Sequence, residues 1–178
     1  MKKLLLIVLT CFWGIGQALA VDMFLKIDDL KGESVDSVHK DEIDVLAWSW
    51  GMSNSGTTHT TGGAGAGKAS FQDLSLTKYV DSTSVKLIEG LAKGKHFATA
   101  VLVVRKPGDK PLEYLKLTLK DVLVTALSTG GSAGEDRLTE NVSLNFRDFL
   151  VEYVPQGKTG TVLDPLKFEW DISINASP

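Results

Sequence analysis

The stretch Ser128-Thr-Gly-Gly-Ser-Ala-Gly-Glu-Asp-Arg-Leu-Thr-Glu-Asn-Val-Ser-Leu-Asn-Phe146 joins a small-residue turn, a charged cluster and an alternating segment. Val142, Leu144 and Phe146 recur every second residue, which puts them on one face of a strand. The same period governs the flanking chain. Glu113 to Leu127 carries Leu115, Leu117 and Leu119 in phase, with a shift near Asp121 that predicts a bend. Glu140 to Val154 shifts phase near Arg147 in the same way. Leu166, Phe168, Trp170, Ile172 and Ile174 alternate with polar residues and predict a final strand. Gln156 to Asp164 and Pro107 to Pro111 are rich in turn residues.

Further upstream, Phe24 to Ile27 reads as a short strand, ended by Lys31-Gly-Glu-Ser34. Glu42 to Met52 is another. Its apolar phase switches from Ile43 and Val45 to Leu46, Trp48, Trp50 and Met52, which predicts a bulge. Trp48 and Trp50 share a face, and an aromatic pair at strand spacing belongs to a core or an interface. Ser53 to Gly67 holds only small and polar residues around His59 and reads as a loop of about fifteen residues, long for a compact domain. Strand pattern returns from Ser70 to Val80, and His96 to Lys106 is a further strand. Between them, Asp81 to Ser84 supplies capping residues. Val85, Leu87, Ile88, Leu91 and Ala92 follow at helical spacing, and Gly94 ends the run. Bent strands with one helix predict a mainly β fold: a small β-barrel of two packed sheets, one flanking α-helix and a long extended loop. Residues 21–178 form its single domain.

The first twenty residues read differently. Lys2 and Lys3 precede the apolar Leu4 to Leu9 and Phe12 to Ile15, and Ala18-Leu-Ala20 offers small residues at a cleavage point. This is the pattern of a secretory signal peptide cleaved after Ala20. Its apolar run is short for a membrane span, so no stable membrane insertion is expected after cleavage. Cleavage removes Cys11, the only cysteine, along with two of the 19 basic residues. That leaves 17 against 22 acidic ones, a net charge of −5. A mildly acidic chain without a basic run is a poor ligand for nucleic acid or anionic membranes.

Catalytic motifs are weak. Gly62-Gly-Ala-Gly-Ala-Gly67-Lys68-Ala69 approaches a phosphate-binding loop, but Ala69 stands where a magnesium-binding hydroxyl is needed, and a strand pattern follows instead of a helix. His39, His59 and His96 have no second ligand at metal spacing. Asp28 with Asp29, and Asp41 with Glu42, read as solvated strand ends. Glu135-Asp136-Arg137 is either a solvated turn with an internal ion pair or a contact with a neighbouring subunit. No enzymatic activity, cofactor or metal is expected.

Several segments, in order, resemble the haemolysin co-regulated protein (Hcp) family, the tube subunit of the type VI secretion system. They are Ala20 to Ile27, Lys31 to Ser34, Glu42 to Ser53 with its two tryptophans, the glycine-rich run to Gly67 and Lys68, Asp73 to Tyr79, Gly94 to His96, and Gly130 to Phe146. The resemblance implies homo-hexameric rings stacked into a tube inside a contractile sheath, capped by a spike protein and sheltering secreted effectors. It implies delivery outside the cell from a Gram-negative cytoplasm. It also implies that the long loop, with Ser53, His59, Gly62, Gly63, Gly67 and Lys68, reaches a neighbouring subunit or ring. Glu135, Asp136 and Arg137 join it as interface residues. The leader departs from the family pattern, since typical members lack a cleaved signal; used as a signal, it would place the protein in the periplasm. The competing reading is a monomeric periplasmic β-barrel that binds a small ligand or polypeptide.

Overall fold

The computed structural model describes residues 20–56, 66–108, 110–157 and 160–178. The strands are β1 (Asp22–Ile27), β2 (Ile43–Ser49), β3 (Met52–Gly56), β4 (Ala66–Phe71) and β5 (Leu74–Tyr79). Helix α1 (Ser84–Lys93) follows, then β6 (His96–Lys106), β7 (Leu112–Gly130), β8 (Thr139–Asn145), β9 (Asp148–Tyr153) and β10 (Leu166–Asp171). Eight strands hydrogen-bond in the order β10-β9-β7-β6-β1-β2-β5-β8, and a further β7–β8 pairing closes six of them into a barrel. The expected packed sheets are therefore one continuous antiparallel sheet closed on itself, and β3 and β4 form a separate two-stranded ribbon.

Closure depends on β7. Its first half pairs with β9, from Leu115 opposite Tyr153 to Lys120 opposite Asp148. Its second half pairs with β8, from Leu123 opposite Asn145 to Gly130 opposite Thr139. Between them Asp121 adopts φ 53°, a left-handed conformation that aspartate tolerates better than bulkier residues. The phase shift in the sequence marks this corner. The second shift is the break between β8 and β9 at Phe146 and Arg147, and the bulge expected in β2 lies between Val45 and Ala47.

Inward positions of the six barrel strands supply the core: Leu25 and Ile27, Ile43 and Val45, Leu74 and Leu76, Phe97, Ala100 and Leu102, Leu117 and Leu119, Val142 and Leu144. Each large aliphatic side chain buried this way contributes about 1.5–3 kcal/mol. Helix α1 covers one end of the barrel. Asp81 Oδ1 accepts from the Thr83 N–H at 2.8 Å, and Gly94, with φ 61°, closes the C-terminus in the left-handed conformation.

Five expectations need correction. The segment Ser53 to Gly67 is not all loop, because its two ends pair as β3 and β4; small polar residues pair through backbone alone, so apolar periodicity gives no sign of them. The strand read from Ser70 to Val80 breaks at Gln72 and Asp73, and that from Glu42 to Met52 breaks at Trp50 and Gly51. The helix buries only Ser84, Leu87 and Gly90, leaving Val85, Ile88 and Leu91 exposed, because it meets the barrel along a narrow stripe. The last strand ends at Asp171, whose carboxylate accepts from the Ser173 N–H at 2.8 Å and starts a turn.

Candidate assembly surfaces

The β3–β4 ribbon leaves the barrel between β2 and β5. Ser53 pairs with Ser70, Asn54 with Ala69 and Gly56 with Ala66, and every residue of β3 is exposed. Gly67 allows the two strands to approach, since a Cβ there would lie 2.3 Å from Ser55 Oγ and 3.0 Å from Ser55 O. Lys68 points to solvent. His59, Gly62 and Gly63 lie outside the described residues. The base of the ribbon is anchored firmly. Trp50 Nε1 donates to Gln72 O at 3.0 Å, and Phe149 packs against Trp50 at 4.9 Å and Phe71 at 5.2 Å between ring centroids. A two-stranded ribbon is marginal alone, and here Phe71 at the end of β4 packs its base onto the barrel. The near match to a phosphate loop is part of the arm: Gly67 to Ala69 run within β4 and no helix follows.

The turn between β7 and β8 carries the charged cluster. Glu135, Asp136 and Arg137 are all exposed, and Gly134 adopts φ 109°. The internal ion pair does not form. Instead the Arg137 guanidinium lies 4.0 Å from the centroid of the Tyr79 ring. The structure does not bring ribbon and turn together. The ribbon adjoins Leu74, where β5 begins, while the turn adjoins Tyr79, where it ends, roughly 17 Å away along the strand.

Three charged groups missed in the sequence anchor the barrel, Lys78 and Glu140 at this end and Arg105 at the other. Lys78 Nζ is enclosed and donates to Glu140 Oε1 at 2.7 Å, Asp81 Oδ1 at 2.9 Å and Tyr79 O at 2.8 Å. Ser84 Oγ also donates to Glu140 Oε1, at 2.8 Å, which ties the start of α1 to β8. The signal for this pair was present in the pattern: Lys78 shares the inward phase of Leu74 and Leu76, and Glu140 that of Val142 and Leu144. Arg105 forms the third anchor. It donates to both carboxylate oxygens of Asp36 and to Asp22, and it stacks over Phe24 at 4.9 Å. Its hydrogen bonds hold the Asp36 carboxyl well below the usual carboxylate range, and Asp36 in turn raises Arg105 above its ordinary value.

The histidines are separately engaged. His39 stacks on Phe24 and its Nδ1 lies 2.9 Å from Glu42 Oε2, while His96 Nδ1 lies 2.6 Å from Asp121 Oδ1. Asp28 is not simply a solvated strand end, because its carboxylate accepts from the backbone N–H groups of Ala98 and Thr99 at 2.9 and 2.8 Å. Among the described residues no helix is long and apolar enough to cross a membrane.

Residues 24–153 match the model of the family described as type VI secretion system effector, Hcp. The chain belongs to the Hcp family. A relative named Protein hcp1, from Pseudomonas aeruginosa, is 55% identical over 159 residues, spanning 88% of this chain and 98% of its own length. A solved structure described as a type six secretion system protein superposes with a TM-score of 0.83 at 31% identity, covering 88% of this chain and 99% of that one. Hcp1 from Salmonella typhimurium gives a TM-score of 0.73 at 40% identity, covering 88% and 97%. As an Hcp protein the chain is a secreted structural protein of the type VI secretion system.

Proposed function

We propose that six copies of this chain form a ring, that rings stack into the type VI secretion tube, and that the lumen shelters effectors during expulsion. The observation that carries this reading is the β3–β4 ribbon: a rigidly based arm whose strand β3 is exposed throughout, on a barrel whose family belongs to a secretion machine. The ribbon meets the next ring, while the charged turn, at the other end of β5, acts between neighbours in one ring. The sheath, the spike protein and secreted effectors are its partners. The working domain begins near Val21, because Asp22 already pairs with Arg105 at the start of β1.

Native mass spectrometry of the purified protein, with negative-stain microscopy of the same sample, tests the assembly. A sixfold mass with open rings is expected. A lone monomer across micromolar concentrations overturns the tube reading and favours a monomeric periplasmic binding barrel. The intact mass of protein from culture medium tests the leader: a chain beginning at Val21 is expected, and one retaining Met1 to Ala20 refutes its removal.

A further inference from the structure

Helix α1 and the loop after β1 enclose a groove whose rim carries four lysines, Lys31, Lys86, Lys93 and Lys95. Only Asp29 and Glu89 oppose them there. Glu89 is held between Lys93 Nζ at 2.7 Å and Lys86 Nζ at 3.2 Å, which keeps its carboxyl near a pKa of about 2. The groove is thus a cationic site on a chain whose formal net charge is −3.

The β7–β8 turn has the opposite character. Glu135 and Asp136 are exposed, and the neighbouring cation Arg137 is turned back onto Tyr79 of its own barrel. The turn therefore offers two acidic groups without a counter-charge beside them. Strand order fixes where the two features sit. The groove borders β1 and β6, and the turn joins β7 to β8. In the closed circuit β7-β6-β1-β2-β5-β8, the groove lies by β1 and β6 and the turn between β7 and β8, two places apart, so the groove and the turn occupy different flanks. Both lie at the barrel end covered by α1, since β5 ends beside the start of β8 and leads directly into the helix. Complementary patches on different flanks at one height are what a head-to-tail, closing ring contact requires.

We infer that the Glu135–Asp136 turn of one subunit docks into the lysine groove beside α1 of the next subunit around the ring. This rests on the ring reading above and supplies its two mating surfaces. Electrostatic mating speeds and orients association, and salt weakens it where the charges remain near solvent.

The test is a charge swap in the full chain. One variant carries Glu135→Lys and Asp136→Lys, a second carries Lys31→Glu and Lys93→Glu, and a third carries all four changes. Native mass spectrometry and sedimentation at fixed protein concentration report the hexamer fraction, and thermal melting confirms that each variant folds. Each paired reversal is expected to weaken ring association by about tenfold or more, and the fourfold variant to recover rings. Rings as stable as wild type in both paired variants overturn the contact. So does disruption that the fourfold variant fails to rescue, because the patches then act separately. A wild-type chain that stays monomeric overturns the ring reading itself, and the docking with it. That result is told apart from the others because it appears before any substitution.

Discussion

Replacing Glu140 by alanine tests whether the buried charges hold the helix end of the barrel together. The side chains of Lys78 and Glu140 are each 1% exposed. Without Glu140, Lys78 Nζ retains Tyr79 O and Asp81 Oδ1, while Ser84 Oγ loses its acceptor. Breaking a buried ion pair costs about 3–5 kcal/mol, and the surviving Asp81 contact places Glu140→Ala at the low end, about 3 kcal/mol. Glu140→Gln keeps the shape and an accepting oxygen, so its cost is less, about 1.5–3 kcal/mol. The triple variant Lys78→Met, Glu140→Leu and Asp81→Asn removes all three buried charges, refills the space and keeps an acceptor for the Thr83 N–H, so it is less destabilising than Glu140→Ala alone. Urea unfolding followed by tryptophan fluorescence reads these differences. Each variant is measured at two protein concentrations, because assembly adds concentration-dependent stability. A loss under about 1 kcal/mol for Glu140→Ala with an unchanged urea slope, or a triple variant weaker than the single one, refutes the reasoning.

The Asp36–Arg105 pair makes acid stability depend on one carboxyl. Its folded pKa is depressed below the unfolded value of about 4, so its contribution is complete above about pH 4 and is lost progressively as pH falls from there toward the depressed folded value. Urea midpoints from pH 6 to pH 3 therefore fall less steeply in Asp36→Asn than in wild type, and parallel curves contradict this. Gly32→Ala places a Cβ 2.3 Å from Glu42 O and 2.9 Å from Ile43 Cα, backbone atoms that cannot swing aside. A loss of about 1–3 kcal/mol, visible as a Tm lowered by several degrees, is expected, and an unchanged Tm rejects the clash. Phe149 is 1% exposed and packs among Trp50, Phe71, Phe146 and Phe168. Phe149→Ala costs about 3–5 kcal/mol and speeds amide exchange in Met52 to Gly56; a small loss with unaltered exchange refutes its role as the anchor of the ribbon.

Much of the barrel was legible because a half-buried strand writes its burial into the chain at period two. Leu115 to Leu119, Val142 to Phe146 and the phase shifts at Asp121 and Arg147 marked strands and corners before any pairing was known. The helix was legible by period, yet its buried face was not: Leu87 and Gly90 touch the barrel while Val85 and Ile88 do not, and spacing cannot say how wide a contact is. The ribbon was missed for the opposite reason. Met52 to Gly56 pair through backbone hydrogen bonds, which leave little trace in side-chain chemistry.

The sequence by itself determined the class of fold, the order of the strands along the chain, the leader-like start and the family. These follow from local periodicity and ordered motifs, properties of neighbouring residues. Only the tertiary structure decided which charges are buried and which are presented. Lys78 meets Glu140 across 62 positions, and Arg105 meets Asp36 across 69, because sheet closure brings β5 to β8 and β6 to the loop after β1. Arg137 turns onto Tyr79 rather than onto its acidic neighbours for the same reason. Long-range pairing sets those partners, and no local pattern records it.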